Sequence, residues 1–554
     1  MLVFFLLFSC VVAKKKIRCE HPVTSVLRLA PGTDPEAVAR RRGYELVALP
    51  PLPGNRYEYV VGCADGSESY NKAAKIIDHA RKAGAAAPDP EILSETVQQK
   101  KQHHPRGGVG GGISAEGYVP TASQWHLAAA DVFSAWGRGY FGRGTGIVIV
   151  DNGVQGSHPD IVRGFDYQAS ANFNSGDPRD PSPTGNDCHG TSAAGIAGAW
   201  GAQSPPGHGI CGQGVAPEST TVGVKLIAEA VTPAKEARAM LVAKAQSDVY
   251  SCSWGPADDG ATLDGPDDDV RAAIREGATN GRGGLGCLYA WAAGNGRANG
   301  DSCAYDGYAS DPYVAAVAAV TCVGRAAWYS EACPAVFISA PSSGDGKSIA
   351  TTDISGRRGA SAGDCNSAFG GTSAAAPFAA GVFALIRSVN CNLTKRDVMR
   401  IAARTATRVD PADPSWQLNG AGIWHSPRYG FGMVNAGAAV LLAETYAPTP
   451  VASDFSEDAT KIRRLEGVMA VVTATPVLGK RRGDMRFVLT SPAGSMSVFE
   501  SRPNDDSFDG YEAWPFYSLA HWGESLASGW TFVETNSAAR PGWTWTLHFF
   551  GGTG

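Results

Sequence analysis

The stretch Gly146-Ile-Val-Ile-Val-Asp151 decides the fold that the sequence predicts. An apolar run that ends in a carboxylate is typical of a buried parallel strand with a functional group at its carboxyl end. Apolar runs at 314–323 and 335–340 predict further strands, and the alanine-rich run at 373–388 predicts a helix. Because residues 118–445 alternate such runs with glycine-rich turns and helical stretches, we predict a doubly wound α/β domain.

A smaller α/β unit is predicted before this domain, over residues 20–95. Its predicted strands are 25–29 and 57–61, and its predicted helices are 35–42 and 70–83. The polar tract at 98–106 and the glycine run at 107–112 then predict an exposed linker that proteases can reach.

A third domain is predicted after the Pro-Thr-Pro sequence at 448–450. Residues 451–554 contain short strand-like runs, such as 486–490 and 543–549, and no convincing helix. This pattern predicts a β-sandwich of about 100 residues.

Composition excludes several classes of protein. The chain has 554 residues, of which 44% are apolar and 18% are charged, so it can bury large cores and is no disordered polyelectrolyte. Its formal net charge of -5 argues against a dedicated nucleic-acid binder. No run of about 18 uninterrupted apolar residues is present, so we predict no transmembrane segment in this chain.

The amino terminus indicates export. Residues 2–13 are nearly all apolar, which is typical of a signal peptide, although three lysines follow the run instead of preceding it and a buried strand is the alternative. The twelve cysteines include no Cys-x-x-Cys pair, which disfavours a zinc site and allows disulfides in an exported chain. A glycosylation sequon at Asn392 is consistent with export. We therefore expect the secretory pathway (Golgi or vesicles) or secretion.

Three segments supply the parts of a nucleophilic site. Asp151 ends a strand, His189 opens a small-residue helix, and Ser373 lies in Gly-Thr-Ser-Ala-Ala-Ala-Pro at a helix start. A serine hydroxyl needs an imidazole to take its proton, and the imidazole needs a carboxylate to fix its tautomer. A helix start also offers a backbone N–H and positive charge to a developing oxyanion. The sequence therefore predicts an Asp-His-Ser triad.

The order Asp, His, Ser resembles that of the subtilase family. Further stretches narrow the resemblance to the kexin/furin-like proprotein convertases: Trp291-Ala-Ala-Gly-Asn-Gly296, Ser251-Cys-Ser-Trp-Gly-Pro256, Trp328-Tyr-Ser-Glu-Ala-Cys333, and Arg502-Pro-Asn-Asp-Asp506 in the carboxy-terminal domain. The resemblance implies an oxyanion-hole role for Asn295. It implies a signal peptide (1–13), an inhibitory pro-domain with linker (14–106), a subtilisin-like catalytic domain (107–447) and a β-sandwich P domain (448–554).

The resemblance also implies pockets for basic residues. From Asp258 to Asp269 the chain has six aspartates and no lysine or arginine. Asp258 and Asp306 would line the pocket for the residue before the cut, because a buried carboxylate selects a guanidinium or ammonium group. Substrate would pair with the backbone of Ser253, Trp254, Gly255 and Pro256. Glu236, Asp264 and Tyr308 would form the pocket three residues upstream. For Asp267, Asp268 and Asp269 a solvated surface loop is the preferred interpretation.

Calcium is the cofactor that the resemblance implies, since packed carboxylates repel one another unless a hard cation intervenes. Asp258, Asp301 and Glu331 match one set of ligands. A second site keeps Asp160 but has Tyr118 in place of its partner acid. A third site, around Asp177 and Asp180, is only partly matched.

Departures from the family pattern bear on specificity and activation. Asn152 and Asn186 stand where the family has acids that favour a basic residue just upstream of the cut, which predicts a relaxed dibasic requirement. Self-cleavage is predicted after Lys101 or Arg106, with Arg106 preferred. The family pairs Cys303 with Cys333 and Cys211 with Cys365, and Cys188 is expected to stay a free thiol.

Three functions remain open at this point. The first is a calcium-dependent endopeptidase acting on protein or peptide substrates with Arg or Lys at the cut, inhibited by its own pro-domain and expected to be a monomer. The second is a subtilase of broader specificity, and the third is an inactive secreted binding protein. The intact triad and Asn295 disfavour the third, and the acidic pockets disfavour the second.

Overall fold

A computed structural model describes residues 22–42, 44–47, 50–63, 71, 74–75, 91–106, 124–201, 210–450, 458–462, 464–474, 481–535 and 543–552. The chain divides into two compact units, one ending at Lys100 and one beginning at Lys101. The predicted signal peptide, the glycine run at 107–112 and Tyr118 lie outside the described residues.

The first unit is a four-stranded antiparallel sheet with one described helix against it. Its elements are β1 (Pro22–Leu29), α1 (Pro35–Arg42), β2 (Glu45–Leu46), β3 (Arg56–Cys63) and β4 (Ile92–Val97). The strand order is β2-β3-β1-β4, and Leu27, Val38 and Tyr59 share its core. The predicted strands and the helix at 35–42 are confirmed, whereas the helix predicted at 70–83 lies mostly outside the described residues.

The second unit is built on a seven-stranded parallel sheet of order β13-β12-β11-β9-β6-β8-β7. The strands of this sheet are β6 (Gly146–Asp151), β7 (Ala171–Asn172), β8 (Thr220–Lys225), β9 (Val249–Cys252), β11 (Leu288–Ala292), β12 (Ala315–Val320) and β13 (Val336–Pro341). Three separate two-stranded pairs are formed by β5 (His104–Pro105) with β10 (Trp254–Gly255), β14 (Ile349–Thr352) with β15 (Cys365–Phe369), and β16 (Gln417–Leu418) with β17 (Trp424–His425). The strands predicted at 146–151, 314–323 and 335–340 are confirmed.

The position of the site follows from the strand order. After β6 the chain builds β7 and β8 on one side of it, then returns to place β9 on the other side. At such a switch point the crossovers diverge and leave a crevice at the carboxyl ends of the two strands. Asp151 ends β6 and Ser253 directly follows β9, so both lie at this crevice.

Helices pack around the sheet. They are α2 (Trp125–Ala129), α3 (Val132–Gly137), α4 (His189–Gly198), α5 (Pro233–Ala239), α6 (Asp268–Asn280), α7 (Thr372–Val389), α8 (Lys395–Thr405) and α9 (Ala436–Ala443). The predicted helix at 373–388 corresponds to α7, whose alanines lie against the sheet core. Among the described residues α7 alone is long and apolar enough to cross a bilayer, and 89% of that stretch is buried inside the protein.

The carboxy-terminal part is an antiparallel sandwich, as predicted. One sheet has the order β21-β18-β23 and the other β20-β19-β22. Their strands are β18 (Arg464–Ala474), β19 (Phe487–Thr490), β20 (Met496–Phe499), β21 (Tyr511–Ser518), β22 (Thr531–Glu534) and β23 (Trp543–Gly552). Phe487, Phe499, Phe516 and Phe532 pack against one another in its core, and its described residues contain no α-helix.

Candidate active site

Asp151 and His189 form the predicted pair. Both carboxylate oxygens of Asp151 lie 2.9 Å from Nδ1 of His189, which places the ring proton on Nδ1 and leaves Nε2 free to act as a base. Asp151 is fully buried, and the backbone N–H of Asn152 donates to it at 2.7 Å. Gly190 is required beside His189, since a Cβ there would lie 2.8 Å from the Cβ of Asp151.

Ser373 lies in the first turn of α7, at the same crevice, but its hydroxyl does not bond to the imidazole. Its Oγ donates instead to the carbonyl oxygen of Ser253 at 3.1 Å. Nε2 of His189 is buried without a hydrogen-bond partner among the described residues. The predicted serine–histidine bond is therefore not made in this conformation.

A carbonyl oxygen fills the oxyanion hole. The carbonyl oxygen of Arg106 accepts hydrogen bonds from Nδ2 of Asn295 at 2.5 Å and from the backbone N–H of Ser373 at 3.1 Å. Oδ1 of Asn295 accepts from the N–H of Thr372 at 2.9 Å, which fixes the orientation of the amide. Gly371 has a φ of 74°, and a Cβ there would clash with the Arg106 carbonyl. Two hydrogen-bond donors thus hold the carbonyl oxygen of Arg106 beside Ser373.

The side chain of Arg106 fills an acidic pocket. Its Nη2 pairs with Asp306, its Nε lies 3.5 Å from Asp258, and its Nη1 donates to the carbonyl oxygen of Ala292. Burial alone would lower the pKa of Arg106, but the two carboxylates outweigh burial and raise it. Burial also raises the pKa of Asp306, against the opposing effect of Arg106. Gly255 forms the pocket wall, because a Cβ there would enter the guanidinium.

The residues before Arg106 run along the crevice as an added strand. The N–H of Arg106 donates to Ser253 at 2.9 Å, Pro105 is paired with Trp254, and His104 is paired with Gly255. Pro256, the next residue along, is buried. The predicted backbone pairing therefore corresponds to the contacts that these residues make.

Glu236 and Tyr308 form the pocket three residues upstream of Arg106. Nε2 of His103 lies 2.9 Å from Glu236, and both side chains are almost fully buried. The ring centroid of His103 lies 4.5 Å from that of Trp254 and 5.7 Å from that of Tyr308. This pocket thus combines one buried carboxylate with two aromatic walls.

Asp264, the third residue predicted for that pocket, contributes after burial and Glu236 to the raised pKa of Tyr308, and its assignment to the pocket stays a prediction. Its Oδ1 lies 3.1 Å from Nζ of Lys101, five residues before Arg106. Asp267 also lies 3.1 Å from Nζ of Lys101, and Asp269 is buried, whereas Asp268 is exposed as predicted and the Asp267 side chain is 43% exposed. The carbonyl oxygen of Asp267 accepts the N–H of Arg271 at 2.9 Å at the start of α6, and its side chain makes no cap bond there.

The predicted calcium ligands Asp258, Asp301 and Glu331 surround the loop at Gly296. The Glu331 carboxylate accepts from the N–H of Gly296 at 2.9 Å, and a Cβ on Gly296 would lie 2.7 Å from the Cβ of Asp301. Burial, followed by repulsion from Asp301 and Asp258, raises the pKa of Glu331 well above its usual range. Carboxylate oxygens are the ligands that a hard cation takes. As they stand, no three His, Cys, Asp or Glu side chains among the described residues converge as a metal site.

The other predicted calcium ligands are engaged differently. Both carboxylate oxygens of Asp160 accept backbone N–H groups, from Ile210 at 3.0 Å and from Cys211 at 2.7 Å. Asp177 and Asp180 accept backbone N–H groups within their own turns. These contacts stabilise loops, and a metal role for the three aspartates stays a prediction.

Both predicted disulfides, Cys211–Cys365 and Cys303–Cys333, are formed. Cys188, beside His189, is a half-buried free thiol. Burial, followed by repulsion from Asp353, raises the pKa of Cys188 to about 11. The thiol is therefore protonated at neutral pH and is a poor nucleophile.

Three groups that contact residues 101–106 were not predicted from the sequence. The contact of the Ala292 carbonyl oxygen could not be predicted because every residue has a backbone carbonyl group. The need for glycine at position 371 becomes visible only when the position of the Arg106 carbonyl group is known. Asp267 directly precedes α6, but its side chain makes no cap bond there, so no local pattern distinguishes it from the aspartates beside it.

Comparison with known proteins agrees with this geometry. The profile of the Subtilase family matches residues 142–432, and that of the Proprotein convertase P-domain matches residues 469–549. "Endoprotease bli" of Onchocerca volvulus is 32% identical over 94% of this chain and 83% of its own length. "Furin" of Bos taurus is 36% identical over 75% of this chain, and "Endoprotease bli-4" of Caenorhabditis elegans is 34% identical over 77%.

The chain spans about half the length of the last two relatives (55% and 48%). Among solved structures, the serine protease of Aeromonas sobria matches with a TM-score of 0.63 and 22% identity, over 79% of this chain and 96% of its own. Fervidolysin from Fervidobacterium pennivorans matches with a TM-score of 0.56 and 17% identity, over 90% of this chain and 69% of its own. At these identities the two structures indicate the fold alone.

Proposed function

This chain belongs to the subtilase family and carries a proprotein convertase P domain, and from that premise we propose that it is a calcium-dependent serine endopeptidase of the secretory pathway. Its substrates are proproteins or peptides that it cleaves after Arg or Lys. The pro-domain inhibits it until it is cleaved.

One observation carries this proposal: Arg106 occupies the crevice as a substrate would. Its guanidinium contacts Asp306 and its carbonyl oxygen accepts from Asn295 and Ser373. A broader subtilase would not need a buried carboxylate that only a cation can neutralise. An inactive binding protein would not need two donors aimed at the carbonyl oxygen of the residue in the pocket.

The proposed reaction proceeds through an acyl-enzyme. Oγ of Ser373 attacks the carbonyl carbon at the cut, and Nε2 of His189 accepts the hydroxyl proton. The C–N bond breaks as His189 returns that proton to the leaving amine. Water then hydrolyses the ester by the same transfers and regenerates Ser373. Asp151 stabilises the imidazolium, and Asn295 binds the oxyanion. Before attack, the hydroxyl must turn from the carbonyl of Ser253 towards His189.

Self-processing is proposed at the bond after Arg106, rather than after Lys101. Arg106 lies in the pocket next to the nucleophile, whereas Lys101 lies five residues upstream. Cleavage there would leave residues 101–106 as a product peptide in the crevice, which is the form an inhibitory pro-domain requires.

The requirement for a second basic residue is proposed to be relaxed. Asn152 is neutral, and its side-chain oxygen accepts the N–H of Gly190 at 2.9 Å, while Asn186 is exposed. Pro105, an uncharged residue, stands at the second position of the bound segment and is exposed. No acid at these two positions therefore selects a cation there.

Calcium is proposed to be held by Asp258, Asp301 and Glu331, and it would neutralise the repulsion among these carboxylates. Oδ2 of Asp258 accepts the N–H of Asn295 at 2.9 Å, so this acid links the pocket, the oxyanion amide and the ligand set. Loss of the ion should therefore disturb catalysis as well as stability.

Hydrolysis of a fluorogenic peptide panel tests the proposal. Peptides that differ only in Arg, Lys or Leu at the cut are compared with and without a calcium chelator, using the chain secreted from eukaryotic cells and its Ser373→Ala variant. We expect hydrolysis after Arg and Lys, little after Leu, loss on chelation, and none with the variant. Equal hydrolysis after Leu would support the broader subtilase, and no hydrolysis of any peptide would support the inactive protein.

A further inference from the structure

A cavity of about 480 Å³ lies between the subtilisin-like part of the chain and the P domain. Arg297 and Cys333 are among the residues that line it on one side, and Met496 of β20 is among those on the other. Its volume falls in the range of small-molecule sites, roughly 300–1,000 Å³. Its described lining residues make no contact with residues 101–106, so the cavity is separate from the substrate crevice.

The guanidinium of Arg297 brings a positive charge to this cavity. Arg297 is half-buried, and among the described residues none forms an ion pair or a side-chain hydrogen bond with it. Arg428, which also lines the cavity, pairs with Asp413 at 3.0 Å. Burial, followed by repulsion from Arg428, lowers the pKa of Arg297, although Asp413 opposes this effect. An anion beside Arg297 would therefore relieve the cost of holding its charge away from water.

The two acids among the described lining residues are engaged with other partners. Both carboxylate oxygens of Asp301 accept backbone N–H groups, each at 2.8 Å. The carboxylate of Glu500 pairs with Arg486 at 2.8 Å. Neither acid forms an ion pair with Arg297, so an anion for this guanidinium has to come from outside the described part of the chain.

Apolar side chains form another part of the cavity wall. Pro334 and Pro427 line it, together with Met496, which is 48% exposed. The disulfide between Cys303 and Cys333 fixes this wall, and the N–H of Cys333 donates to the carbonyl oxygen of Pro427 at 3.0 Å. Small-molecule sites typically combine such apolar walls with a few polar groups that orient the ligand. The cavity therefore suits a ligand that is partly anionic and partly apolar.

We infer that this cavity is a binding site for a small carboxylate with an apolar body, held at Arg297. The inference goes beyond the proposed proteolysis and does not depend on it. One guanidinium can donate two parallel N–H bonds to a carboxylate, which fixes both its position and its orientation. The apolar body would then pack against the wall at Pro334, Pro427 and Met496. A neutral analogue keeps this packing but loses the charge-assisted bonds.

Titration calorimetry with 4-phenylbutanoate and 4-phenylbutanamide tests the inference. The two probes share an apolar body and differ in charge. They are titrated into the full chain carrying Ser373→Ala, which cannot digest itself, so the result does not depend on whether the chain is an active protease. Because Arg297 is only half-buried, we expect the carboxylate to bind about tenfold more tightly than the amide.

The ratio of the two Kd values is the deciding measurement. It should fall to about twofold or less when Arg297→Gln is added. It should stay near tenfold with Arg325→Gln, the matched control, because Arg325 is exposed and does not line the cavity. Equal binding of the two probes to the chain that keeps Arg297 would overturn the site, even if the Arg297→Gln chain did not fold. An unchanged ratio in a folded Arg297→Gln chain would also overturn it, and inorganic sulfate binding as tightly as the carboxylate would overturn the need for an apolar body.

Discussion

Replacing Asp306 by Asn should remove most of the preference for arginine at the cut. The substitution keeps the volume of the side chain and the oxygen that accepts the N–H of Tyr308 at 2.7 Å, but it removes the charge that pairs with Arg106. Arg106 is almost fully buried, and removing one partner of a buried ion pair costs about 3–5 kcal/mol. Asp258, 3.5 Å from Nε of Arg106, retains part of the attraction, so we take about 3 kcal/mol, or roughly a hundredfold in kcat/KM.

Two assays report this loss. Immunoblots of the secreted Asp306→Asn chain should show accumulation of the uncut precursor, because the Arg106 bond is bound more weakly. The kcat/KM for a peptide with Arg at the cut, divided by the fraction of Ser373 that a fluorophosphonate labels, separates weaker binding from misfolding. Asp259→Asn is the control: this exposed aspartate bonds to the backbone N–H groups of Ala261 and Thr262 and does not contact Arg106.

The reasoning fails if Asp306→Asn processes itself at the wild-type rate. It also fails if labelled enzyme loses less than tenfold in kcat/KM towards Arg peptides. Either result would mean that Asp258 alone neutralises the guanidinium, or that Arg106 is not bound in this pocket during catalysis.

Three further predictions concern the Asn295 amide, the residue directly before the cut, and a buried histidine. Asn295→Ala should lower kcat by about 10²–10³-fold with little change in KM, because its Nδ2 donates to the carbonyl oxygen in the oxyanion hole; a change confined to KM in steady-state assays would refute that role. Peptides with Lys, Arg, Pro or Ala directly before the cleaved Arg should differ by less than about fivefold in kcat/KM, as Pro105 indicates, and a large preference for a base there would refute the relaxed requirement. His126 lies buried in α2. Burial lowers the pKa of His126 to about 3, so below pH 6.5 the unfolded chain binds a proton that the folded chain does not, and stability falls as the pH falls. Between pH 6.5 and pH 5 this loss is about 2 kcal/mol, and His126→Phe should reduce the drop in Tm over that interval; an unchanged drop would contradict the assignment.

The fold and the Asp151–His189 pair were predictable because their requirements are local. A buried strand that must end in a carboxylate, a histidine followed by glycine, and a serine at a helix start are each visible in a few consecutive residues. The two disulfides and the acidic pocket around Asp306 followed from a family resemblance and not from residue spacing.

The subsites could not be assigned by the same means. Which acid meets which residue depends on the register of residues 101–106 along Ser253–Gly255, and no local pattern encodes that register. The sequence therefore did not predict that Asp264 and Asp267 both contact Lys101. The orientation of the Ser373 hydroxyl is likewise a rotamer choice, set here by the carbonyl of Ser253.

The close packing of Gly265 on Gly307 has a consequence for the whole crevice. It joins the loop that carries Asp264 to the loop that carries Asp306, so the two cation-binding ends cannot move apart independently. The two joined loops therefore fix the distance between the carboxylate that contacts Lys101 and the carboxylate that contacts Arg106. In the bound segment, Lys101 and Arg106 each contact one of these two loops, so a segment with one residue more or fewer between them would have to bulge or stretch to keep both contacts.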